Sequence, residues 1–109
     1  MALRRADRVR AKTALQVGFV GTADRFTAPL REFTPYGLSV TTQHEVRIGT
    51  VYRLGIKMDA DYFRAAAVVR AQLPGGFAVE FLSMNAMDRE LMRRLYLRVQ
   101  MAGREPAAG

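Results

Sequence analysis

From residue 12 to residue 81 apolar side chains alternate with polar ones instead of recurring at helical spacing. The alternation breaks where Gly, Pro or Asp cluster, which predicts a meander of short strands. Six strands follow from it. The first spans 12–20, with Thr13, Leu15, Val17 and Phe19 on one face; the second spans 25–33, with Phe26, Ala28 and Leu30 together. The third, 37–43, offers Leu38 and Val40. The fourth, 50–58, sets Tyr52, Leu54, Ile56 and Met58 against Val51, Arg53, Gly55 and Lys57. The fifth, 62–73, aligns Phe63, Ala65, Ala67, Val69, Ala71 and Leu73, and Pro74-Gly75-Gly76 turns it into the sixth, 77–82, with Phe77, Val79 and Phe81 on one face.

After Ser83 the period changes to that of a helix: Met84, Met87, Leu91, Leu95 and Val99 form a stripe that Met92 and Tyr96 widen. Asn85 is the expected N-cap, Asp88 adds an acid to the first turn, and the helix is expected to end before Gly103. Six half-apolar strands must close or stack to hide their apolar faces, and closure removes exposed edges. The expected fold is mainly β: a small six-stranded antiparallel β-barrel with a C-terminal α-helix.

Length and charge refine this picture. The 109 residues suit one domain, 12–101, preceded by a flexible basic arm, 1–11, and followed by a disordered tail, 102–109. The chain has no cysteine and no run of apolar residues long enough to span a membrane, so a cytoplasmic location is expected. Of the net charge of +7, four units lie within residues 1–12, where Arg4, Arg5, Arg8, Arg10 and Lys12 face only Asp7. Such a field attracts anionic partners. Fifteen of the seventeen cations are arginines, suited to forked recognition of phosphate or guanine.

Nothing in the sequence assembles an enzyme. His44 is the single histidine, in a stretch expected to be a strand end and loop, and no nucleophile elbow, zinc motif or Gly-rich phosphate loop occurs. Asp59 and Asp61 flank a hairpin turn and suit turn geometry better than proton transfer. No catalytic residue, metal site or cofactor is expected.

Two motifs stand out. Arg4 and Arg8 form an RxxxR, and after 23 intervening residues comes Glu32-Phe33-Thr34-Pro35-Tyr36-Gly37-Leu38-Ser39-Val40. These resemble, in order and spacing, the RxxxR and [D/N]xSxxG motifs of PilZ domains. Phe77-Ala78-Val79-Glu80-Phe81-Leu82 with the helix behind it resembles the way such domains end, so the resemblance covers residues 4 to about 99. It implies a non-enzymatic receptor for cyclic di-GMP, with Arg4, Arg8, Glu32, Thr34 and Gly37 as ligand-binding residues and Arg5 assisting by charge. A guanidinium fork can pair with a phosphate or with the guanine O6 and N7 edge. An effector protein is the implied partner, in motility, pilus or exopolysaccharide control, and the receptor is a monomer or weak homodimer. Glu32 in place of Asp or Asn, and Thr34 in place of Ser, depart from the pattern. They motivate a second reading, an interaction module that has lost the nucleotide. A third, a basic barrel binding single-stranded nucleic acid, is disfavoured because no strand face carries a run of aromatics. Thr34-Pro35-Tyr36-Gly37 also predicts a β-turn, with Pro at the second position and Gly at the fourth.

Overall fold

The computed structural model describes residues 9–10, 15–58 and 60–103. Its strands are β1 (Val9–Arg10), β2 (Gln16–Val20), β3 (Arg25–Thr34), β4 (Gly37–Thr41), β5 (Val51–Met58), β6 (Asp61–Leu73) and β7 (Gly76–Phe81), and one helix follows, α1 (Ala86–Gly103). All pairings are antiparallel and run β3-β2-β5-β6-β7-β4, with β4 returning to β3. The ring is therefore closed, a six-stranded barrel as the alternation predicts. The two residues of β1 are an addition to the expected strands and pair outside the ring, Val9 with Phe33 and Arg10 with Glu32.

Inward residues follow the sequence pattern closely along β5, where Tyr52, Leu54, Ile56 and Met58 are buried. Two bulges interrupt the alternation elsewhere. Between Leu30 and Glu32 the register of β3 on β4 shifts, which leaves Arg31 as the extra residue, and between Val69 and Ala71 the register of β6 on β7 shifts at Arg70. A bulge inserts one residue and so reverses which face every later side chain takes. Phe33 thereby enters the core in phase with Leu30. Ala71 and Leu73, expected on the core face with Val69, instead turn outward, while Gln72 pairs with the buried Phe77. Gln72 Nε2 donates to the Val46 carbonyl at 2.6 Å and so holds the loop that follows β4.

Each end of the barrel is closed by an aromatic cluster. At one end Phe19 stacks on Phe26 with centroids 4.8 Å apart, and Tyr52 and Phe77 meet Phe19 edge-on. His44 then covers Phe26 at 3.9 Å. Its Nε2 lies 2.8 Å from Asp24 Oδ2, the oxygen that also accepts from the Tyr52 hydroxyl at 2.8 Å. His44 thus ties the loop after β4 to the β2–β3 turn, a contact that its sequence neighbours gave no sign of. At the other end Phe33, Phe63 and Phe81 meet, and α1 caps them.

The helix starts as expected, with Asn85 Oδ1 accepting from the Asp88 backbone N–H at 2.7 Å. It packs on β6, β1 and β3 through Met92, Leu95 and Val99, with Leu91 and Tyr96 at the margins. Met87 differs from expectation: it is 73% exposed. The buried stripe is centred on Met92, Leu95 and Val99, and Leu91 is already at its edge. One turn earlier, Met87 projects past the barrel. The helix also runs on through Gly103.

The hydrogen bonds from His44 and Tyr52 hold the Asp24 carboxyl below its ordinary pKa of 3.8. Burial, reinforced by Asp24, pushes the Tyr52 hydroxyl up to about 12, so it remains a donor. A carboxyl with a lowered folded-state pKa stabilises the fold above its unfolded value, and that stabilisation is lost as pH falls through the folded value. Thermal unfolding followed by circular dichroism should therefore show Tm falling as pH drops through 3.8 and below. Asp24→Asn should have a lower Tm near neutrality and a flatter acid limb; an unchanged acid limb would discount the clasp.

Candidate functional site

The [D/N]xSxxG-like segment folds into the β3–β4 hairpin, with Thr34 paired to Gly37 across Pro35 and Tyr36. Thr34 Oγ1 accepts from the backbone N–H groups of Tyr36 at 3.0 Å and Gly37 at 3.1 Å, and donates to the Gly37 carbonyl at 3.3 Å. The hydroxyl is therefore spent on holding the turn, a side-chain mimic of a backbone turn. Gly37 has a separate steric duty. A Cβ there would run into the Val79 carbonyl and crowd Glu80 Cα, so only glycine lets β4 lie this close to β7.

Outside the hairpin lies a groove of about 600 Å³ across β3, β4, β7 and β6. Its floor is one transverse row in register: Glu32 opposite Ser39, Ser39 opposite Ala78, Ala78 opposite Ala71. Three small side chains beside one carboxylate leave a shallow shelf wide enough for a planar group. The two bulges end this row, with Arg31 before Glu32 and Arg70 before Ala71. Arg31 is turned along the barrel, donating from Nη2 to the Pro74 carbonyl at 2.9 Å and from Nε to Thr41 Oγ1 at 3.3 Å. Arg70 Nε donates to Glu80 Oε1 at 2.7 Å on the groove wall. That pair is more than half exposed, so it holds geometry and adds only about 0–1 kcal/mol.

Of the expected site residues, Glu32, Thr34 and Gly37 all line this groove. Arg4, Arg5 and Arg8 lie outside the described residues. The chain immediately after Arg8 is nonetheless located, because Arg10 of β1 stands directly opposite Glu32. Sequence reasoning missed Ser39, Arg70, Ala71 and Leu73. The last three depend on the bulge, which leaves no mark in the alternation. Ser39 was readable only as the outward residue between Leu38 and Val40. It is 4% exposed and its hydroxyl has no hydrogen-bond partner. Among the described residues no cluster of His, Asp and Glu is placed to hold a metal.

The profile of PilZ domains matches residues 2–98, nearly all of the chain. The chain belongs to the PilZ domain family. As a PilZ domain, it can be set beside solved structures of the same fold. The PilZ domain of YcgR from Escherichia coli, solved with cyclic di-GMP, superposes with a TM-score of 0.77 at 15% identity, covering 96% of this chain and 97% of that one. The PilZ domain of CeSA from a cellulose-synthesizing bacterium gives 0.71 at 12%, over 85% and 97%. The Bacillus subtilis inhibitor of motility, MotI/DgrA, gives 0.72 at 18%, over 94% of this chain and 55% of that one. No curated protein matches the sequence. At these identities the likeness establishes the barrel and its helix.

Two substitutions separate fold from site. A buried hydroxyl without a partner costs about 1–3 kcal/mol, so Ser39→Ala should leave urea-unfolding stability unchanged or raise it. Gly37→Ala should lower it by about 1–3 kcal/mol through the clash with Val79. A Ser39→Ala protein markedly less stable than the parent would show that the hydroxyl has a structural partner.

Proposed function

We propose that this PilZ domain is a receptor for cyclic di-GMP, bound between the arm that carries Arg4 and Arg8 and the groove over β3, β4, β7 and β6. The observation that carries the reading is the pairing of Arg10 with Glu32: it brings the residues following the first motif onto the very strand that bears the second. Glu32 can accept from the guanine N1 and N2 donors while the base lies on the shelf of Ser39, Ala78 and Ala71. Arg4 and Arg8 supply the forked contacts to phosphate or to the guanine O6 and N7 edge, and Arg5 adds charge. The role is binding, with no bond made or broken. Ordering of the arm over the groove changes the surface offered to an effector protein of motility, pilus or exopolysaccharide control.

One observation favours a second reading, a PilZ-like interaction module without nucleotide. The Thr34 hydroxyl is committed to the turn, and Glu32 is one methylene longer than the family's Asp or Asn. Isothermal titration of cyclic di-GMP into the full chain, with GTP as control, decides between them. Saturable, selective binding is expected, weakened about tenfold to a hundredfold in Arg8→Ala by loss of a charge-assisted hydrogen bond. Glu32→Ala should weaken it comparably, and Glu32→Asp should preserve or tighten it. No heat from the parent chain, with binding created in the Glu32→Asp, Thr34→Ser variant, would establish the second reading instead.

A further inference from the structure

The helix α1 has a second apolar face. Met92, Leu95 and Val99 are buried against the barrel, whereas Met87, Leu97 and Met101 turn the other way. At about 3.6 residues per turn these three share one stripe, on the side of the helix away from the strands. Among the described residues they are three of the four most exposed large apolar side chains, and the fourth, Ile48, lies in the loop between β4 and β5.

Glu90 and Arg94 complete the stripe, so that positions 87, 90, 94, 97 and 101 follow one another at steps of three, four, three and four residues. That spacing is the seam of a two-helix coiled coil, whose side chains enter holes in a facing helix. Within the chain the two charges are held loosely. Arg94 Nε lies 4.0 Å from Glu90 Oε2 and Arg94 Nη1 lies 3.5 Å from Asp61 Oδ2, and all three side chains are 40% or more exposed.

We propose that this stripe is a homodimer interface whose occupant is a second copy of the chain, the two α1 helices packing antiparallel about a two-fold axis at the height of Met92. The order of the side chains selects that occupant. Read in opposite directions the stripe complements itself: Met87 meets Leu97 of the other copy, and Glu90 meets Arg94 of the other copy, each pair occurring twice by symmetry. Met101 lies beyond Leu97 and lengthens the apolar contact. Arg93, exposed on the flank, meets its own counterpart beside the axis, a like-charge contact that the two Glu90 carboxylates offset. A parallel pair would instead set Glu90 against Glu90 and Arg94 against Arg94. The hydrocarbon of a bilayer offers the Glu90 carboxylate no cation. A five-residue stripe covers less than a standard interface of roughly 1,600 Å², so dimerisation is in the micromolar range or weaker. The inference is independent of whether the Glu32 groove binds nucleotide.

Sedimentation equilibrium of the full chain, from micromolar to millimolar concentration, tests it. A reversible equilibrium between monomer and dimer is expected. Leu97→Gln should weaken it about tenfold or more, while Ile48→Gln, which removes a more exposed apolar side chain elsewhere, should leave it unchanged. Glu90→Arg and Arg94→Glu should each be monomeric alone, because like charges then face across the axis. An equimolar mixture of the two should form a heterodimer, because every facing charge pair of the seam is then opposite in sign. All four variants alter exposed side chains and should keep the parent's far-ultraviolet circular dichroism. The proposal is overturned if the chain is monomeric throughout, whether or not the stripe then binds a helix of another protein or phosphatidylglycerol vesicles. It is equally overturned if Leu97→Gln dimerises as the parent does, if Ile48→Gln weakens the dimer as much as Leu97→Gln, or if the mixture stays monomeric.

Discussion

The close approach of β4 to β7 is the contact on which the barrel and its groove both depend. It is set by an absence: Gly37 carries no side chain where the Val79 carbonyl passes. Because β4 is also tied to β3 through the Thr34-held turn, this approach draws the last strand of the ring against the hairpin that completes it. The outward residues of the three strands then fall into one row, Glu32, Ser39 and Ala78, and small side chains along it make a shelf. Fold and site share residues here. Gly37 shapes the groove by serving strand packing, and Thr34 shapes its rim by spending its hydroxyl on the turn.

The strands, their order in the chain and the capping helix were legible because alternation and turn residues are local signals. Asn85 and the Met92, Leu95 and Val99 stripe were legible for the same reason. What failed to show was everything that depended on a single inserted residue. Arg70 reads as one more polar position in a long alternating strand, yet as a bulge it sends Ala71 and Leu73 to the groove and Gln72 to the opposite side. The pairing of Val9 and Arg10 with β3 was hidden because two residues carry no periodicity. His44 was readable only as a loop residue, since its partners Asp24 and Phe26 are distant in sequence and meet it across the barrel mouth.

The candidate site residues divide in the same way. Glu32, Thr34 and Gly37 were found by a motif, and the structure brings them together on one groove. The motif could not reveal that the Thr34 hydroxyl is already satisfied or that Ser39 holds one that is not. A motif records residue types and spacing, whereas the availability of a polar atom depends on what else reaches it.

The short strand β1 touches two things at once. Its backbone runs beside Glu32 on one side, and α1 packs against it on the other. Two paired residues hold little free energy, about 1–2 kcal/mol of backbone order apiece set against the bonds they make. β1 thus joins the strand that carries Glu32 to the helix, beside the direct contacts that α1 makes with β3 and β6.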